Sequence, residues 1–96
     1  MLLEAHEIGF GASGRNGGQA IHGLACEQEV IESLLGLDDA RRVWAMSLEA
    51  LDLLRQRIAD HAIACDWQEG YLGVACNARK GQALMQWADR MESVYG

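Results

Sequence analysis

Six glycines crowd into one short stretch near the start of this 96-residue sequence: Gly9, Gly11, Gly14, Gly17, Gly18 and Gly23. Glycine adopts backbone conformations that are closed to other residues and lets the main chain approach a ligand closely. The sequence contains no proline, so glycine alone provides the sharp changes of direction. The chain therefore divides into a short opening segment, a glycine loop and a remainder rich in helix-forming residues.

A carboxylate stands just before the glycine loop. Residues 1–5 form an apolar run that contains Glu4, and we expect a buried β-strand there. A strand that ends in an acid and precedes a glycine loop is what a dinucleotide site needs at its second strand, where the carboxylate binds ribose hydroxyls. The backbone amides of the loop can cradle an anion. Further donors are the side chains of Ser13, Arg15, Asn16 and Gln19.

The residues alone leave the purpose of the loop open. A GxGxxG fingerprint should precede such an acid by about 20 residues, but only three residues precede Glu4 in this sequence. It has no GxxxxGK[ST] motif. A flexible glycine connector therefore stands beside a ligand-binding loop as an alternative.

Two helices are predicted directly after the loop. The first covers residues 27–35 and ends before Gly36, a residue suited to the left-handed position that follows a helix. The second carries the strongest apolar periodicity of the chain and runs from about Asp39 to about His61. Either Asp38 or Asp39 is expected to cap its N-terminus.

A second strand and a third helix complete the prediction. The strand covers residues 70–76, and Asn77 follows it as the cap of a helix that continues to Gly96. Three tryptophans lie on or near the apolar stripes and are expected to pack in the core: Trp44, Trp67 and Trp87.

The charge balance argues against some partner classes. Asp plus Glu number 14 and Lys plus Arg number 8, which gives a formal net charge of −6. Nucleic acids and anionic membranes need a positive surface, so neither is an expected partner. No apolar run approaches the roughly 20 residues that span a bilayer, and the start lacks the basic region of a signal peptide.

No residue is predicted to be catalytic or to bind a metal. The three cysteines have no CxxC spacing and are expected to be buried or half-buried thiols of a cytoplasmic protein: Cys26, Cys65 and Cys76. The three histidines have no obvious partner, which favours surface or packing roles: His6, His22 and His61. His22 lies closest after the loop and is the one worth testing.

Two stretches resemble the D-amino-acid oxidase and glycine oxidase superfamily of flavoproteins. They are residues 2–5 (Leu-Leu-Glu-Ala) and residues 11–19 (Gly-Ala-Ser-Gly-Arg-Asn-Gly-Gly-Gln). The likeness is closest to the branch of gamma-glutamylputrescine oxidase and related amine and amino-acid oxidases. It is strong over about the first 25 residues, and after that it extends only to the order of the elements.

The resemblance implies FAD as the cofactor and a role for each matching residue. Glu4 falls on the acid that binds the adenosine ribose of FAD. Ala12, Ser13 and Gly14 fall on the loop that lies near the pyrophosphate. The stretch beside the ribityl chain and the flavin ring corresponds to Arg15, Asn16, Gly17, Gly18 and Gln19.

The resemblance also implies the fold, an α/β, mostly helical fragment of an FAD-binding Rossmann-like domain with the start of its substrate domain. Residues 1–26 would form the partial FAD-binding segment, and residues 27–96 a helical segment with one strand. The sequence lacks counterparts of the first strand, its fingerprint and the first helix. We therefore expect an internal fragment that is inactive by itself.

Three hypotheses follow for function. The parent protein would oxidise the C–N bond of an amine or amino acid, such as gamma-glutamylputrescine, with FAD accepting the hydride and oxygen as the usual final acceptor. A related dehydrogenase is a variant that this sequence does not distinguish. The alternative of another class is a non-catalytic helical domain that self-associates, because a buried-type strand without its sheet leaves apolar faces uncovered.

Overall fold

The structure, a computed structural model, describes Met1 and residues 3–96. Its regular elements are a 3-10 turn and three helices: Ala12–Gly14, then α1 (Gln28–Leu35), α2 (Leu37–Asp60) and α3 (Ala78–Tyr95). The three predicted helices are thus confirmed. No helix of the described part combines the length and the apolar character needed to cross a membrane.

Gly36 separates α1 from α2, as predicted for the end of the first helix. Its φ of +81° is a conformation that favours glycine, and its N–H donates to the Glu32 carbonyl. The same residue precedes Leu37 and occupies the N-cap position of α2. The two helices therefore follow each other with a single residue between them.

The predicted aspartate cap of α2 is wrong. The helix begins at Leu37, before both aspartates, and no side chain caps it. Asp38 and Asp39 instead lie in its first turn, where a negative charge is favourable against the helix dipole. By contrast, the Asn77 cap of α3 is confirmed, because its Oδ1 accepts the Lys80 N–H at 2.9 Å.

Neither predicted strand forms among the residues that the structure describes. Residues 1, 3–5 and 70–76 are irregular, and Leu2 of the first predicted strand lies outside the described residues. A strand is stable only when it pairs with another strand, and the described part of the chain contains none. Leu72 and Val74 are accordingly 86% and 80% exposed. The described residues are helical, and the predicted Rossmann-like α/β arrangement is not confirmed.

Each helix contributes one apolar residue to a small core. Ile31 of α1, Ala40 of α2 and Met91 of α3 are 4%, 0% and 7% exposed. Gln28 is also buried, and its Nε2 donates to the Tyr95 hydroxyl at 3.0 Å. This hydrogen bond satisfies a polar group that would otherwise oppose burial.

A network around Glu32 joins α1 to α3. Tyr95 donates its hydroxyl hydrogen to Glu32 Oε1 at 2.6 Å, and Arg90 Nη2 donates to Oε2 at 2.5 Å. The hydrogen bond from Arg90, reinforced by that from Tyr95, lowers the pKa of the Glu32 carboxyl. Burial, together with the neighbouring Glu32 carboxylate, raises the pKa of Tyr95. The charged glutamate and the neutral phenol are therefore the forms that the fold favours.

Replacement of Ile31 by alanine should destabilise the chain far more than the same change at Leu34. Ile31 is 4% exposed and Leu34, on the same helix, is 77% exposed. Truncating the buried side chain should cost about 2–4 kcal/mol, whereas the exposed change should stay within about 0.5 kcal/mol. Urea unfolding followed by circular dichroism measures both, and equal losses would contradict this core.

Stability should also decrease in acid in a way that depends on Glu32. Because its folded-state pKa is lowered, its contribution is present above the unfolded pKa and is lost as the pH falls through the folded pKa. The thermal midpoint should therefore fall once the pH drops below about 4.3, and Glu32→Gln should weaken that dependence. The exposed Glu49→Gln is the control, and an unchanged acid profile in Glu32→Gln would argue against the network.

Candidate cofactor site

The backbones of Gly9 and Gly14 lie against each other in the loop. The Ala12–Gly14 turn is closed by hydrogen bonds from Gly14 N to Gly11 O and from Arg15 N to Ala12 O, each 3.2 Å. A Cβ atom on Gly14 would overlap the carbonyl oxygen of Gly9. Gly9 itself has a φ of +82°. The loop therefore needs glycine at position 14 for its shape.

The side chain of Asn16 makes three hydrogen bonds within the loop. Its Nδ2 donates to the carbonyls of Ala12 and Ser13, both at 2.9 Å, and its Oδ1 accepts the Gly18 N–H at 2.8 Å. The sequence predicted Asn16 as a donor to a ligand. In this conformation both of its amide hydrogens are already used by the loop.

Other donors of the loop are not used by the turn. The N–H groups of Ala12 and Ser13 precede the first hydrogen bond of the turn, so the turn itself pairs neither of them. The guanidinium of Arg15 lies over the Phe10 ring, 4.7 Å from its centroid, and the residue is exposed. Backbone amides beside an exposed cation suit a diphosphate, so the residues present are compatible with this part of FAD.

Glu4 makes its contact within its own segment. Its Oε1 accepts the His6 N–H at 3.0 Å, and the residue is exposed. The His6 ring packs against Phe10, with centroids 4.4 Å apart, so the opening segment reaches the loop through Phe10. The second carboxylate oxygen, Oε2, takes no part in this bond.

The end of the loop lines a cavity of about 300 Å³. Gly18 and Gln19 form one side of it, and the opposite side is formed by Cys65, Asp66, Trp67, Gln68, Gly70 and Tyr71. The sequence did not predict this second wall, because no local pattern shows that residues about 50 positions apart will face each other. Asp66 and Gly70, with φ of +50° and +77°, mark changes of direction there.

An ion-pair cluster holds that second wall against α2. Arg55 of α2 contacts Glu69 Oε2 at 3.0 Å, and the Trp67 indole N–H donates to Glu69 Oε1 at 2.8 Å. The hydrogen bond from Trp67, followed by that from Arg55, lowers the pKa of Glu69. The Arg55 guanidinium also lies 5.6 Å from the Trp67 ring centroid, within cation–π range.

The cysteines and histidines were predicted from sequence with mixed success. All three cysteines are exposed rather than buried or half-buried, because their segments lack a covering element in the described residues. His22 packs on the Trp44 ring, with centroids 4.6 Å apart, in agreement with a packing role. Within residues 1 and 3–96, no group of histidine, cysteine and acidic side chains could hold a metal ion.

The family of the chain follows from comparison with known proteins. The family described as "FAD dependent oxidoreductase" (DAO) matches residues 1–96. The chain belongs to the DAO family of FAD-dependent oxidoreductases. The resemblance recognised in the sequence is thereby confirmed. No solved structure matches the chain.

Three curated DAO-type relatives align with nearly the whole chain. A probable oxidoreductase OrdL of Haemophilus influenzae is 40% identical over 98 residues, covering 100% of this chain. The gamma-glutamylputrescine oxidoreductase of Escherichia coli is 40% identical over 92 residues, covering 96% of it. A probable oxidoreductase OrdL of Rhizobium meliloti is 32% identical over 95 residues, covering 99%. The chain spans only 22% of the length of each relative.

These relatives agree with the expectation that the chain corresponds to part of a DAO oxidoreductase. The boundary between residues 26 and 27 stays a prediction, and so does the cofactor role of each loop residue. The geometry separates residues that shape the loop, such as Gly14 and Asn16, from groups that remain available to a ligand, such as the Ala12 and Ser13 amides.

Gly14→Ala should rearrange the loop, whereas Gly11→Ala should not. A Cβ at position 14 meets the Gly9 backbone, while the described atoms leave the space around Gly11 open to 4 Å. The side-chain amide signals of Asn16 and the backbone amide of Gly18 report the loop in ¹H–¹⁵N spectra. These signals should shift in Gly14→Ala alone, and an unshifted spectrum would contradict the close contact between the backbones of Gly9 and Gly14.

Proposed function

We propose that this chain supplies the FAD-contacting loop of an oxidoreductase that oxidises the C–N bond of an amine or amino acid. The single observation that supports this proposal most strongly is the braced loop. Asn16 makes hydrogen bonds to Ala12, Ser13 and Gly18, which supports a fixed arrangement of the Ala12 and Ser13 amides that the turn itself does not pair. Preorganised donors bind an anionic group without a further ordering cost.

Each part of the cofactor is assigned to a segment under this proposal. Glu4 binds the adenosine ribose through its carboxylate, since paired hydroxyls are good donors to a charged acceptor. The turn at Ala12, Ser13 and Gly14 binds the pyrophosphate through backbone amides and the serine hydroxyl. The ribityl chain and flavin ring lie along Arg15, Asn16, Gly17, Gly18 and Gln19.

The reaction chemistry belongs to the cofactor. When bound, FAD accepts the hydride from the carbon beside the amine nitrogen. The residues of this chain bind and orient that group, and we assign none of them a catalytic role. The amine or amino acid is a gamma-glutamylputrescine-like molecule in this proposal, supported by the name of the Escherichia coli relative.

The two parts of the chain contribute differently. Residues 1–26 form the partial FAD-binding segment, and residues 27–96 begin the substrate domain of the parent oxidoreductase. We place the parent in the cytoplasm, where thiols such as the exposed Cys26, Cys65 and Cys76 stay reduced. We assign the parent a small-molecule substrate and neither nucleic acid nor a membrane as a partner.

The alternative is a non-catalytic helical domain that acts by self-association. One observation favours it, an apolar groove of about 500 Å³ between residues 19–24 and α2. Six residues of α2 line the groove at helical spacing: Val43, Met46, Ser47, Ala50, Leu51 and Leu54. Met46 and Leu54 are 61% and 38% exposed, an arrangement that a second copy of the chain could cover.

Binding of FAD should depend on Glu4 and not on Glu7. Both residues are exposed acids of the opening segment, but only Glu4 is assigned to the ribose. Loss of a charge-assisted hydrogen bond costs about 1.5–3 kcal/mol, so Glu4→Gln should raise the Kd for FAD at least tenfold. Titration of FAD into the longest polypeptide that the gene encodes, followed by flavin fluorescence, measures the Kd of both variants.

The same preparations distinguish the two functions. Flavin that co-purifies, and an absorbance band that bleaches anaerobically with an amine, support the oxidoreductase. A colourless protein that sediments as a stable dimer and ignores added FAD supports the self-associating domain. Equal affinities of Glu4→Gln and Glu7→Gln for FAD would contradict the assignment of the ribose to Glu4.

A further inference from the structure

A small cavity of about 130 Å³ lies away from the amides of the glycine loop, where the chain enters α1. Five parts of the chain meet around it: the segment after the loop, α1, α2, the segment between α2 and α3, and α3. Its principal lining residues are His22, Glu27, Gln28, Trp44, Tyr71 and Trp87. The cavity shares Gly23 and Leu24 with the groove on α2 and Tyr71 with the cavity beside Gly18 and Gln19, but none of the residues assigned to FAD lines it.

Four aromatic side chains line the cavity: His22, Trp44, Tyr71 and Trp87. The His22 and Trp44 rings meet edge to face, with centroids 4.6 Å apart and an interplanar angle of 77°. The Tyr71 ring lies 6.2 Å from His22, and Trp87 lines the cavity from α3. The faces of tryptophan and tyrosine carry negative electrostatic potential and attract cations within about 6 Å.

Two polar side chains of the cavity, Glu27 and Gln28, carry oxygen atoms that can accept from a cation. Gln28 is only 7% exposed, and its Nε2 donates to the Tyr95 hydroxyl at 3.0 Å, which leaves Oε1 as the accepting end of the amide. Glu27 provides a carboxylate, and no lysine or arginine is among the lining residues that the structure describes. The walls therefore combine aromatic rings with oxygen acceptors, and their described residues include no lysine or arginine.

Contacts with Tyr95 fix two of the lining residues of the cavity, Trp44 and Gln28. Trp44 packs against Tyr95 with tilted rings whose centroids lie 5.1 Å apart, and the Tyr95 hydroxyl is hydrogen-bonded to both Glu32 and Gln28. The same network that joins α1 to α3 thus fixes one ring and the buried amide of the cavity. A preorganised cage loses little conformational entropy when it binds a ligand.

The geometry points to a binding site for an alkylammonium head group in this cavity. Its volume suits a small tetrahedral cation rather than a nucleotide or an aromatic ring. Tyr71 is 62% exposed and stands at the rim, where the alkyl chain of a larger amine would leave the cavity. The site does not depend on FAD, so it can be tested on the chain by itself.

Tetramethylammonium chloride is the probe, and the indole N–H signals of the three tryptophans are the readout. Trp44 and Trp87 line the cavity and Trp67 does not, so two of the three signals should shift and saturate. We expect a Kd of the order of 1–10 mM, as for a partly exposed cation–π site. Trp67→Phe assigns the signal that should stay fixed.

Two conservative variants measure the contributions of charge and ring. Glu27→Gln and Tyr71→Leu alter exposed residues, so they should fold normally, and each should weaken binding about two- to fivefold. Glu49→Gln removes an exposed charge from α2 outside the cavity and should leave the Kd unchanged. Sodium chloride at equal ionic strength and the neutral tert-butanol are the ligand controls.

Several results would overturn the site. A shift of all three indole signals together would show a general salt effect. An equal response to tert-butanol would show an apolar cavity without preference for charge. Unchanged affinity in both Glu27→Gln and Tyr71→Leu would show that the cation binds elsewhere.

Discussion

The carboxylate of Glu32 is the point on which the arrangement of the helices depends. It accepts hydrogen bonds from Tyr95 and Arg90, which are 63 and 58 residues away along the chain. Only three apolar side chains are buried in the described part, so hydrophobic burial alone provides little that would orient α3. Charge-assisted hydrogen bonds are directional, and they fix the position of this helix. Tyr95 in turn packs against Trp44, and Trp44 packs against His22 in the segment after the loop, so these contacts connect the helices to that segment.

The helices could be predicted from sequence because their signals are local. Apolar spacing, the glycine at position 36 and the Asn77 cap lie within the elements that they define, and the structure agrees with each. The start of α2 could not be predicted to the residue. Asp38 and Asp39 are good caps in isolation, but Gly36 already provides the turn into the helix, so α2 begins before them. A local preference is overridden here by its immediate neighbour.

The strands failed for the opposite reason, since a strand is defined by its partner. The apolar segment at residues 70–76 has the composition of a buried strand, yet Leu72 and Val74 are exposed. The described part of the chain contains no strand with which this segment could pair. β-propensity describes a residue that suits a half-buried sheet surface and does not create that surface. The wall at residues 65–71 beside Gly18 and Gln19 was missed on the same grounds, because only tertiary structure brings these segments together.

The glycine loop shows why a motif identifies a family more readily than it identifies roles. The string of residues 11–19 led to the DAO family, and the family match agrees. Yet the string mixes two kinds of residue. Gly14 is required because its backbone lies against Gly9, and Asn16 because its side chain binds a carbonyl of the turn. The amides of Ala12 and Ser13, by contrast, are not used by the hydrogen bonds of the turn. Membership of the DAO family implies FAD in the parent protein, but the contacts that shape this loop do not identify a substrate.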